Sequence, residues 1–165
     1  MNDAPGATRL VVPPEHSGLR LDQLLAAATA LSRRRARVVI GEGRVSIDGR
    51  PVKVQSRPVE LATVVDVRLP AGELGVPPVP ELPPVEIAWE DDDLLIAVKP
   101  PGVLSQPAER RRPGELAFDE RVAMALALRS GARPFLRLLH RLDRVTSGLL
   151  LFARSPAALP PLTAA

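Results

Sequence analysis

The sequence has no cysteine and no tyrosine, and its only aromatics are three phenylalanines and one tryptophan. Without cysteine there are no disulfides and no thiolate metal sites. The two histidines, His16 and His140, lie far apart, so no zinc cluster is expected; neither a metal nor a cofactor is called for. No run of eighteen apolar residues occurs, which argues against a membrane span. The opening residues, Met1 to Gly6, lack both a basic start and an apolar stretch, so they do not read as a secretory signal. These absences suggest a soluble cytoplasmic protein. What is present is ample aliphatic material: 45 % of the 165 residues are hydrophobic, so a core must be built from Leu, Val, Ile and Ala.

Charge is distributed unevenly. The net charge is only +3, but residues 19–57 hold nine basic and three acidic side chains, residues 58–106 two and nine, and residues 107–144 nine and five. Two basic blocks flank an acidic one, which points to two surfaces that each meet a polyanion. All but two of the 22 basic residues are arginine, whose planar fork suits bidentate phosphate contacts.

Residues 1–18, with Pro5, Gly6, Pro13 and Pro14, read as a flexible or extended lead-in. Leu21, Leu24, Leu25 and Ala28 recur at helical spacing. Ser32 is suited to cap a second helix, Arg33 to Ile40, that Gly41 and Gly43 would end. In that helix Ala36, Val39 and Ile40 share one face, and Arg33, Arg34 and Arg37 point outward. Val45 and Ile47, the turn Asp48-Gly49, then Val52 and Val54 spell a hairpin. A further strand is expected at Val64–Leu69. Residues 19–69 thus form one small α+β domain. Six prolines fall within residues 70–84, which read as a semi-rigid extended linker.

The remainder, 85–165, opens with two strands, Val85 to Trp89 and Leu94 to Lys99, around an acidic turn. Pro100-Pro101-Gly102 stops the second. Arg110 to Gly114 is a basic loop, Glu115 to Arg129 a helix with Leu116, Val122, Ala125 and Leu126 inside. Phe135–Leu139 and Leu149–Ala153 read as buried strands around a loop, His140 to Gly148.

Two stretches carry a resemblance. Leu21-Asp22-Gln23-Leu24-Leu25, Ser32 to Arg35 and Gly43-Arg44-Val45-Ser46-Ile47-Asp48-Gly49 resemble the small RNA-binding module first named for ribosomal protein S-four. Ile87 to Leu94, Val98-Lys99-Pro100-Pro101-Gly102 and the run His140-Arg141-Leu142-Asp143-Arg144-Val145-Thr146-Ser147-Gly148-Leu149-Leu150-Leu151-Phe152-Ala153 resemble the ribosomal large-subunit pseudouridine synthases. The resemblance implies an α+β protein with a helix-helix-hairpin domain and part of a mixed-sheet catalytic domain. It implies isomerisation of uridine in ribosomal or transfer RNA, without metal or cofactor, by a monomer when full length.

Asp143 is then the expected catalytic residue. A carboxylate is a reasonable nucleophile or ion-pair partner at an electron-poor sugar carbon. Arg141 and Arg144 flank it and would keep it ionised. The family pattern implies that Arg141 fills the space vacated by a base leaving its stack. Thr146, Ser147 and Gly148 suit a tight turn with their hydroxyls on the loop backbone. Arg141, Arg144 and Thr146 are the expected substrate-binding residues, and Arg33, Arg34, Arg37 and Arg44 the expected RNA-binding ones. His140 reads as structural, and Lys99 as shaping the site.

The family also carries a base-contacting Tyr and a Gly-Arg-Thr-His-Gln-like stretch. The chain has neither, and the resemblance fades after Arg154. A gene fragment or truncated product is the expectation, with unpaired sheet edges, an uncovered apolar face and little or no synthase activity from the 165 residues alone. The alternative is a non-catalytic RNA-binding protein using residues 19–69. A glycosyl hydrolase is disfavoured, because only one well-placed carboxylate is visible. Replacing Arg33, Arg34 and Arg37 with Glu should weaken RNA binding and flatten its salt dependence; affinity unchanged across a salt titration would refute a role for this helix.

Overall fold

The computed structural model describes residues 7–69, 74–75, 82–109, 111–112 and 114–164. The chain divides into two compact units, residues 1–81 with 127–133, and residues 82–126 with 134–165.

In the first unit the strand β1 (Ala7–Val11) is followed by the helices α1 (Leu21–Ala28) and α2 (Arg33–Gly41). The strands β2 (Val45–Ile47), β3 (Arg50–Pro51) and β4 (Val64–Arg68) complete it. They form an antiparallel sheet in the order β1-β4-β2-β3. Ser32 caps α2 as expected, its Oγ accepting from the Arg35 amide at 3.2 Å. The two helices bury Leu21, Leu24, Leu25, Ala36, Val39 and Ile40 against Val45, Ile47, Val65 and Val67 of the sheet. Asp48 and Gly49 both take positive φ (48° and 76°), the geometry a two-residue hairpin needs to match strand twist.

Three expectations change. Residues 7–11 are no lead-in: β1 pairs with β4 from Ala7↔Arg68 to Val11↔Val64, and Val12 is buried in the core. Val54 does not continue the hairpin. The ladder stops at Pro51, which has no amide to donate, and Val54 stays largely exposed while Val52 is buried. Most of the 70–84 linker lies outside the described residues, but Leu74 is buried in this core and its carbonyl accepts from the Ala30 amide at 2.7 Å. That residue is anchored.

The second unit contains β5 (Glu86–Glu90), β6 (Leu94–Lys99), β7 (Arg137–Leu138) and β8 (Gly148–Ala153) in the order β5-β6-β8-β7. Its helices are α3 (Phe118–Ser130), whose last turn is assigned to the first unit, and α4 (Leu159–Ala164). The α+β class holds, yet each described strand pair is antiparallel where a mixed sheet was expected. One face of the sheet, Leu95, Ala97, Leu150 and Phe152, packs on Phe118, Val122 and Leu126. The strand expected at Phe135–Leu139 is ordered as a pair only at Arg137 and Leu138, and Phe135 is exposed. On the other face Leu149 is half exposed, and β5 and β7 each pair on one side. Helix α3 begins at Phe118, later than expected, and Leu116 and Ala125 are only partly buried.

The first turn of α3 carries two acids. Glu120 is buried and accepts both contacts of Arg111, each 2.7 Å, and the Ala117 amide at 2.8 Å. Burial, with the charge of Glu120 beside it, pushes the Asp119 carboxyl up to about 6. The folded state therefore binds more protons than the unfolded chain between about pH 4 and 6, so this residue favours folding as pH falls through that window. Asp119→Asn should stabilise the protein at pH 7 by about 2 kcal/mol, and the gain should vanish near pH 4. Urea melts of both proteins at the two pH values check this; an equal difference at both would contradict it.

Candidate functional site

Strand β6 ends on Lys99, and its side chain is fully buried rather than solvated. A buried ammonium has lost its water and needs three acceptors. Its Nζ donates to the carbonyls of Thr146 (2.6 Å), Pro100 (3.1 Å) and Arg144 (3.2 Å). Burial lowers the Lys99 pKa, and the negative charge of Asp143 partly opposes that shift. Two of the three carbonyls belong to the loop between β7 and β8, so the lysine holds that loop to the end of β6. Gly102 helps, its amide donating to the Arg144 carbonyl at 2.7 Å with φ at 85°, a conformation that favours glycine.

Ser105 fixes the other side of the loop. It is 4 % exposed, and its hydroxyl donates to the Leu142 carbonyl (2.6 Å) while accepting from the Leu142 amide (3.0 Å). One side chain thus clamps both peptide groups of the residue before Asp143. The Thr146 amide donates to the Asp143 carbonyl at 3.1 Å, closing a turn over residues 143–146. The tight turn therefore starts earlier than expected and is closed by backbone, not by the Thr146 or Ser147 hydroxyl. Asp143 stands exposed on this turn, between two pinned peptides.

The flanking arginines divide. Arg141 is exposed. Arg144 is committed to Glu115, with Nη1 to Oε1 at 2.6 Å, and this pairing, with the Arg112 amide, holds Glu115 below the usual carboxylate range. Its guanidinium pairs with Glu115, where the sequence suggested a counter-charge for Asp143. His140 accepts from the Leu151 amide at 3.3 Å, a structural bond.

In the first unit a second cluster forms. Asp22 is fully buried on α1, and its Oδ2 accepts from the Nε of Arg37 (2.9 Å) and Arg33 (3.3 Å), its Oδ1 from the Nε of Arg20 (3.0 Å). Burial alone would raise its pKa, but the bonds from Arg37, Arg20 and Arg33 outweigh this and hold the carboxyl well below the usual range. Arg33, Arg34 and Arg37 line a shallow cleft of about 560 Å³ with Val38, Gly41 and Gln55. Arg44, expected on this surface, pairs with Glu42 at 2.9 Å. Asp22 and Ser105 were missed as organising residues. An acid one helix before an arginine-rich helix is a usable signal for the first; nothing local marks Ser105.

Among the described residues no group of three potential metal-binding side chains occurs, and no helix is long and apolar enough to cross a membrane. A helix-helix-hairpin unit with an arginine face, and a strand-bound loop presenting one carboxylate, make up an α+β protein. Residues 19–65 match the family described as S4 domain and residues 93–165 the family described as RNA pseudouridylate synthase. The second match runs to residue 165, past the point at Arg154 where the resemblance was expected to fade. An RNA pseudouridine synthase of Chlorobaculum parvum is 33 % identical over 87 % of this chain and 44 % of its own length. The ribosomal large subunit pseudouridine synthase D of a serogroup A Neisseria meningitidis strain is 31 % identical over 88 % and 38 %. A solved human structure, RNA pseudouridylate synthase domain containing 4, shows 26 % identity over 48 % of this chain and 28 % of that one, with a TM-score of 0.37. Residues 93–165 thus belong with the RNA pseudouridylate synthase family and residues 19–65 with the S4 domains, and the chain spans less than half the length of these curated relatives.

Lys99→Met keeps the volume but strands three carbonyls. It should cost about 3 kcal/mol in urea melts and speed amide hydrogen exchange at residues 142–147. Unchanged exchange there would remove Lys99 as the anchor of the loop.

Proposed function

We propose that the protein is an RNA pseudouridine synthase that isomerises uridine in ribosomal or transfer RNA, with residues 19–69 binding RNA and residues 85–165 forming part of the catalytic domain. The observation that carries this reading is the presentation of Asp143. Its carboxylate stands on a turn whose neighbouring peptides are held by buried Lys99 and Ser105, so it is exposed without being loose. Preorganisation of this kind is what a nucleophile at a sugar carbon requires.

In the proposed reaction the Asp143 carboxylate adds to C1′ as the N1–C1′ bond breaks, its electron pair going to N1. The freed uracil turns, C5 bonds to C1′ and the ester to Asp143 opens. The C5 proton leaves to water and N1 takes up a proton from water, so atoms and charge balance with no external oxidant or cofactor. Arg141, exposed two residues before Asp143, would stack in the space the flipped base leaves. Arg144 and Thr146 contribute through the backbone carbonyls that Lys99 holds. With no Tyr in the chain, the family's base-contacting Tyr has no counterpart within these residues. The name of the Neisseria relative makes large-subunit ribosomal RNA the first substrate to try.

Protein that includes residues 1–165 should release tritium from RNA carrying uridine tritiated at C5. Asp143→Ala should abolish that release while RNA affinity changes less than about twofold. Equal release from the variant would remove Asp143 as nucleophile. RNA binding without any release from the parent would favour a non-catalytic RNA-binding protein.

A further inference from the structure

We propose that Asp22 is the positioning residue of a phosphate-binding cradle, drawing Arg20, Arg33 and Arg37 into one array that meets the RNA backbone. The inference rests on the reading that the arginine face of α2 binds RNA, and it adds a role for the buried acid beneath that face.

The geometry is specific. Three guanidiniums from two segments of the chain converge on one carboxylate that is itself 0 % exposed, while each arginine remains close to half exposed. Each arginine bonds through Nε, at 2.9, 3.0 and 3.3 Å, and Arg20 adds a longer contact from Nη2 at 3.4 Å. A guanidinium bound through Nε still has two Nη groups for a second partner, and those of Arg33 and Arg37 belong to residues lining the shallow cleft with Arg34. The carboxylate cannot itself meet solvent or RNA, so its charge acts only on the arginines. Without it, three like charges at this spacing would spread apart into water. With it, they are held close at a net local charge of +2, their rotamers restricted before any ligand arrives.

This makes a prediction of opposite sign to simple electrostatics. Asp22→Asn adds one positive charge. If the arginines acted as a diffuse field, RNA would bind more tightly and with a steeper salt dependence. If Asp22 positions them, binding weakens in spite of the added charge.

The experiment is fluorescence-anisotropy titration of a labelled RNA hairpin with the 165-residue chain, from about 50 to 300 mM salt. Three variants are compared with the parent: Arg33→Gln with Arg37→Gln, Asp22→Asn and Asp22→Glu. Circular dichroism melts verify folding. The double arginine variant should bind more weakly, with its log–log salt slope reduced by about 1.5. Asp22→Asn should bind about fivefold more weakly at about 150 mM salt, and Asp22→Glu, which keeps the charge, should recover part of the loss. Asp22→Asn that is folded and binds as tightly as the parent, or more tightly, overturns the proposal while leaving the RNA-binding reading intact. A double arginine variant indistinguishable from the parent overturns that reading itself.

Should Asp22→Asn fail to fold, arginine side-chain NMR on the parent decides. Slowly exchanging Nε–H signals of Arg33 and Arg37 that persist when RNA is added, with their Nη signals shifted, are the expected result. Loss of the Nε–H protection on binding overturns the proposal.

Discussion

The second unit depends on one buried cation. Lys99 cannot keep its charge without water unless acceptors replace that water, and the three nearest are carbonyls of Pro100, Arg144 and Thr146. Because two of them lie in the β7–β8 loop, satisfying the lysine and ordering the loop are the same event. Few side chains of the loop help to hold its shape: Val145 is 80 % exposed, and Arg141, Asp143, Thr146 and Ser147 are exposed as well. The backbone beneath the exposed Asp143 carboxylate is fixed by Lys99 on one side and Ser105 on the other.

The first unit uses the same device with the sign reversed. Asp22 is buried, and the groups that satisfy it are the side chains of three exposed arginines. In each unit one buried charge is satisfied by atoms that carry, or lie next to, the groups turned toward solvent. Neither charge is an efficient source of stability, since desolvation offsets much of the attraction. Their value lies in orientation.

How far this was legible depends on distance along the chain. The helices α1 and α2, the Asp48-Gly49 turn and the strand β6 follow from patterns within a few residues, and each appears close to where the periodicity puts it. Strand β1 does not, because Ala7–Val11 is short, bordered by prolines, and acquires its conformation from β4, 57 residues away. The family motif drew attention to Asp143, but its surroundings were misread: Arg144 is adjacent in sequence yet turns to Glu115, 29 residues back, while Lys99 arrives from 47 residues before Thr146. Ser105 and Leu142 meet across 37 residues, and a lone serine after a proline-glycine turn gives no local sign of that. Nearness in sequence proved a poor guide to which charges meet.

Lys99 and Asp22 also differ in what they ask of their surroundings. Lys99 is satisfied entirely by main-chain carbonyls, so the identity of the side chains at Arg144 and Thr146 is irrelevant to its bonding; only the path of the loop matters. Asp22 is satisfied by Nε–H groups, a donor that arginine has and lysine lacks. A lysine at position 33 or 37 would keep the charge, but its single ammonium would either bond Asp22 or face the cleft. Arginine bonded through Nε keeps its Nη groups for a second partner. At positions 33 and 37 of α2 arginine therefore serves the buried acid beneath it as well as supplying positive charge.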